Sequence, residues 1–218
     1  MQRLKIDYVS DVACPWCAIG LGGLIAAVDR LAGKLEVELS FQPFELNRNM
    51  PPEGENLGEH LVAKYELTAA QIADNNAQIT ALAAEAGYTF NLTRDSRIWN
   101  TFDAHRLMYW AESHGDPLML QNLLFKANFT DQRSISDHAV LAEIAVEAGL
   151  NGERAKEILA SEAYLDEVDE RMKLWLSKGI RGVPAIIIND RHIIEGGQSS
   201  AVFEQALLQI AAAAAEPA

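Results

Sequence analysis

The residues best suited to chemistry in this chain are Cys14 and Cys17, in the stretch Cys14-Pro15-Trp16-Cys17. They are its only cysteines. Two thiols at that spacing can exchange a dithiol for a disulfide, because the second sulfur is held at high effective concentration beside the first. As a thiolate, Cys14 would attack a substrate disulfide. Cys17 would then attack Cys14 and release the reduced substrate, and oxidation of a dithiol would run the same steps in reverse. Zinc is the competing use of a cysteine pair, but a structural site wants four ligands. The sequence holds neither a second Cys-x-x-Cys nor a paired His.

The elements around the pair fit the redox use. Leu4 to Val9 reads as a strand, and Ala18 to Val28 as an apolar helix. Pro15 suits the first helical position, where its missing N–H costs nothing. Cys14 then lies at the helix N-terminus, where orphan N–H groups and the dipole stabilise a thiolate. The helix is expected to end near Ala32-Gly33, with Gly33 as the residue just past its cap. Leu35 to Phe44 alternates apolar and polar residues at period two, a second strand, so a parallel βαβ unit opens the chain.

Asn47 to Asn56 is a loop rich in Pro, Asn and Gly, and from there to about Gly179 the pattern is helical. Thr68 to Gln71 makes a capping box for a helix ending at Gly87. A helix is expected from Arg97 to His114, with Ile98, Phe102, His105 and Tyr109 on one face. Asp116 caps the next, with Pro117 first and Phe125 to Phe129 at its end. Ser136 is expected to cap another, with Ile135 and Val140 as a hydrophobic staple, ending at Gly149. Asn151 opens a short helix, and Ser161 a longer one bearing Tyr164, Val168, Met172, Trp175 and Leu176. Strands return at Ala185 to Ile188 and Arg191 to Glu195, joined by the Asn189-Asp190 turn. Ser199 caps a last helix to about Ala213, with Ala211 to Ala215 as its fraying end. The order β-α-β, helical block, β-β-α predicts an α/β fold of thioredoxin-like layout. A discontinuous domain of residues 1–55 and 180–218 would carry an all-helical insertion of residues 56–179.

A chain of 218 residues can bury a full core, and its net charge of −13 argues against nucleic acid, which needs a basic face. The same charge argues against an anionic membrane surface. No run of about 18 apolar residues is present, and Met1 to Ser10 lacks an apolar leader core. A cytoplasmic location is expected. In that reducing compartment a lone cysteine pair is a poor structural staple.

Four stretches carry a resemblance to a known family. They are Asp11 to Gly20 around the cysteines, Pro43-Phe44-Glu45-Leu46-Asn47, Asn100 to Leu107, and Gly182-Val183-Pro184-Ala185. Spread over nearly the whole chain, they resemble the DsbA family of thioredoxin-fold oxidoreductases, and more narrowly its FrnE-like branch. The resemblance implies thiol–disulfide exchange at Cys14 and Cys17, and a cis Val183–Pro184 bond facing them. Chromene-carboxylate isomerases and kappa-class glutathione transferases are relatives that carry Ser in place of the first Cys. Keeping both cysteines favours dithiol chemistry here over a glutathione-dependent isomerase or transferase, and over a chaperone-like binding module.

The remaining candidates have two readings each. Pro15 and Trp16 set the surroundings of Cys14, and Trp16 is either a packing aromatic or a substrate platform. His105 is either a hydrogen-bonded residue at the domain interface or part of the cleft wall, and Asn100 is similar. Val183 and Pro184 are expected to contact substrate. His60, His114, His138 and His192 read as surface residues, and Asp11 as a turn residue more than a proton acceptor. No metal and no tightly bound cofactor is expected. Glutathione is a candidate co-substrate, and either it or a thioredoxin system a candidate electron donor. The expected partner is a protein or small molecule bearing a thiol or disulfide, and a homodimer is an open option.

Overall fold

The computed structural model describes residues 2–215. Its central sheet has four strands, in the order β2 (Leu35–Pro43), β1 (Gln2–Ser10), β5 (Ala185–Ile188), β6 (His192–Glu195). β1 (Gln2–Ser10) runs parallel to β2 (Leu35–Pro43), with Tyr8 opposite Phe41. The βαβ unit read from the sequence therefore forms, with α1 (Pro15–Arg30) as its crossover. β5 (Ala185–Ile188) returns antiparallel to β1, and β6 (His192–Glu195) antiparallel to β5. Asn189 and Asp190 both have positive φ, 53° and 55°, as a two-residue hairpin turn between right-twisted strands requires.

Period-two alternation gives the sheet two apolar faces. Leu4, Ile6 and Tyr8, with Ile186 and Ile188 beside them, join a core that includes Leu21 and Leu24 of α1. The same core takes Phe203 and Leu207 of α9 (Ser200–Ala215). Val9, Ala185 and Ile187 pack instead with Phe44, Trp175 and Ile180. The Trp175 indole N–H donates to the Gln42 side chain at 3.2 Å, which ties α8 (Leu165–Ser177) to β2. α9 extends through Ala215, two residues beyond the expected end.

Between β2 and β5 lie α2 (Leu57–Tyr65), α3 (Ala69–Glu85), α4 (Phe102–His114), α5 (Pro117–Phe125), α6 (His138–Glu147), α7 (Gly152–Leu159) and α8. This segment is not all helical. A two-stranded ribbon pairs β3 (Glu55–Asn56) with β4 (Arg97–Ile98), and a π-helical turn (Lys126–Thr130) follows α5. The ribbon explains why α4 starts at Phe102 and not at Arg97. Arg97 and Ile98 are engaged with Glu55 and Asn56, and the Asn100 carboxamide accepts the Phe102 N–H.

Two caps also differ from expectation. Asp137, not Ser136, caps α6, because its carboxylate reaches two N–H groups while the Ser136 hydroxyl donates to the Pro52 carbonyl. Ser161 does not open α8. The buried Arg106 guanidinium binds the carbonyls of Ser161 and Ala163, and the chain turns through left-handed Tyr164 first. α1 ends at Arg30 with Leu31 as its cap, so Gly33 (φ 84°) lies further out than expected. The Thr68 capping box, the Asp116 cap and the Asn151 cap form as read.

Candidate active site

Cys14 is the N-cap of α1 and Pro15 its first residue. Asp11 shapes the turn into the helix: its carbonyl accepts the Cys14 N–H at 3.0 Å and its carboxylate accepts the Ala13 and Leu46 N–H groups. That is a turn residue's work, and it also ties the end of β2 to the cysteine loop. From the other side, the Asn128 carboxamide on the π-helical turn donates to the Val12 carbonyl at 3.2 Å. The buried Tyr8 hydroxyl donates to the Cys17 carbonyl at 2.7 Å, fixing the first turn of α1 over β1.

Both cysteines are free thiols. Cys17 is fully buried. Burial pushes its thiol well up, the neighbouring Cys14 thiol adds to that, and the Asp11 backbone amide pulls the other way. Cys17 therefore stays protonated at neutral pH until exchange draws on it. Cys14 Sγ donates to the Val183 carbonyl at 3.7 Å. The Val183–Pro184 bond is cis, and the Pro184 carbonyl accepts the Gly196 N–H, which anchors it to the end of β6. Glycine at position 20 lets Pro184 come close: a Cβ there would lie 3.2 Å from its ring and 2.9 Å from the Tyr8 hydroxyl.

Cys14, Pro15 and Trp16 floor a cleft of about 330 Å³. Trp16 is 38% exposed at its edge. α2, α3 and the β3–β4 ribbon roof it with Leu57, His60, Lys64, Ile79 and Arg97. Val183 and Pro184 are not among its walls; the Val183 carbonyl meets the Cys14 sulfur directly. A larger open groove of about 1520 Å³ runs between α2 and α3, away from both cysteines.

Asn100 and His105 do not line the cleft. Asn100 holds the Met50 carbonyl and the Phe102 N–H. His105 is buried with Nε2 3.0 Å from the Phe44 carbonyl and 3.8 Å from Asp11. Both tie the helical segment to the strand–loop framework under the site, the interface role rather than the wall. Sequence reasoning passed over Lys64, Arg97 and Asn128, and placed His60 on the open surface. Nothing in their local pattern marks them, since the ribbon and the π-helical turn that aim them are long-range features. Among the described residues, no cluster of His, Cys, Asp and Glu could hold a metal ion.

A family model for the DSBA-like thioredoxin domain matches residues 5–208. The chain belongs to this family. A solved structure from Streptomyces coelicolor, described as a probable DsbA oxidoreductase SCO1869, is 32% identical and superposes with a TM-score of 0.90, over 99% of this chain and 92% of that one. The uncharacterised protein YwbO of Bacillus subtilis is 27% identical over 207 residues, 94% of this chain and 96% of its own. The cytosolic disulfide reductase DsbM of Pseudomonas aeruginosa shares the DSBA-like fold at a TM-score of 0.63 and 20% identity, covering 97% of this chain and all of its own. The DSBA-like assignment accounts for the sheet and supports a general oxidoreductase role.

Proposed function

We propose that this chain reduces or rearranges disulfides by dithiol–disulfide exchange, with Cys14 as nucleophile and Cys17 as resolving thiol. The observation that carries the reading is the juxtaposition at the cleft floor: the Cys14 sulfur faces the Val183 carbonyl, and the buried Cys17 thiol lies beside it at the start of the same helix. Cys14 thiolate attacks one sulfur of a substrate disulfide, forming a mixed disulfide and expelling the other sulfur as thiolate. Cys17 loses its proton and attacks Cys14, forming the Cys14–Cys17 disulfide and releasing the second substrate thiolate. Two electrons pass from the protein to the substrate, and an external thiol restores the dithiol. Pro15, Trp16, Val183 and Pro184 shape the approach to Cys14. Asn100 and His105 support it from beneath.

A cytoplasmic setting suits a chain whose only cysteines are this pair, and no helix among the described residues is long and apolar enough to cross a membrane. No tightly bound cofactor is needed for exchange. Glutathione or a thioredoxin system fits the role of electron donor, and DsbM has been solved with glutathione. With dithiothreitol as reductant, the protein is expected to accelerate insulin reduction, and Cys14→Ser to abolish the acceleration. Undiminished activity in Cys14→Ser would overturn the dithiol mechanism.

A further inference from the structure

The chain carries 31 acidic residues and a net charge of −13, yet among the described residues not one Asp or Glu walls the cleft over Cys14. The charged walls are cationic, Lys64 and Arg97. Among the described residues, neither pairs with a carboxylate. Lys64 Nζ spends two of its donors on the Asn47 side chain, at 2.7 Å, and the Leu46 carbonyl, at 3.3 Å. An ammonium has three, so one remains. The Arg97 guanidinium reaches the carbonyls of Glu53 and Gly54 through a single terminal nitrogen and lies over the Trp99 ring, which leaves donors on its other nitrogens. His60 is held by Glu55, which is not itself a wall. Asn75, Asn76 and Gln132 add neutral polar groups. A space of about 330 Å³ is at the small-molecule end of ligand pockets.

We propose that this cleft selects small thiols and disulfides that carry carboxylates, with Lys64 and Arg97 setting the preference. The proposal rests on the exchange chemistry above and names the substrate class for it. Two unneutralised cations over a carboxylate-free floor attract an anionic disulfide and place it against Cys14, while a cationic one meets like charge. In the exchange, the protein's two thiols lose their protons to solvent and two electrons to the disulfide, which leaves as two thiolates.

The test mixes reduced protein with glutathione disulfide (anionic), 2-hydroxyethyl disulfide (neutral) and cystamine (cationic). Each rate is divided by the rate of the same disulfide with free dithiothreitol. The normalised rates are expected to fall in that order, the anionic-to-cationic ratio being about tenfold and shrinking as salt is added. Lys64→Gln is expected to cut that ratio by about threefold or more, and Lys64→Arg to retain it. Equal normalised rates, or a ratio that Lys64→Gln and Arg97→Gln both leave intact, would overturn charge selection while exchange itself stands. Failure of all three disulfides to oxidise the protein would overturn the exchange reading and this one with it.

Discussion

At the scale of single residues, the site separates two thiols that the sequence presents as equals. Cys14 borders the cleft and faces a carbonyl, whereas Cys17 is sealed in the first turn of α1 with its proton retained by burial. Near Asp11, in the turn that leads to Cys14, lie two more titratable side chains, His105 and Glu45. Glu45 has a carboxylate oxygen buried without a partner, and burial raises its carboxyl to about 7, the nearby His105 opposing and Asp11 adding to the rise. A carboxyl raised on folding binds its proton more tightly in the native state. Its contribution to stability is full below the unfolded value, near 4.5, and is lost as pH climbs through about 7. Glu45→Gln is therefore expected to stabilise the protein at pH ~8 and to change little at pH ~5, as measured by urea denaturation at both. An equal change at the two pH values would contradict it.

At the scale of elements, the active-site turn was legible because its signals are local. Pro15 after Cys14, the alternation of Leu35 to Phe44, and the Asn189-Asp190 pair each fix geometry within a few residues. What was hidden depends on distant partners. β4 has the pattern of a helix because Ile98 shares a helical period with Phe102, and only pairing with β3 shows otherwise. Ser136 and Ser161 looked like caps, but Pro52 and Arg106, far away in sequence, redirect those turns. The fit of α1 against the β5 entrance is likewise long-range. Gly20 is crowded by Tyr8, Gly197 and Pro184, so Gly20→Ala is expected to destabilise by about 1–3 kcal/mol through overpacking. It should also slow insulin reduction, because displacing Pro184 moves the adjoining Val183 carbonyl that faces Cys14. Equilibrium denaturation and the insulin assay read the two effects. Wild-type values in both would contradict the close approach.

At the scale of the whole molecule, the sheet is assembled from the two ends of the chain. β1 and β2 bring the cysteines, β5 brings Val183-Pro184, and the intervening helices supply the roof. The layout of this α/β fold was readable from element order alone. The composition of the roof was not, since which residues of α2, α3 and β4 face Cys14 is decided only when both halves of the sheet meet. The central claim is that Cys14 forms the first covalent bond to substrate and Cys17 breaks it. Trapping tests this most directly. Cys17→Ser protein is incubated with a disulfide substrate and the adduct is mapped by mass spectrometry. The account predicts a stable mixed disulfide on Cys14, absent from wild-type protein under the same conditions. Rapid turnover by Cys17→Ser with no adduct at Cys14 would contradict it.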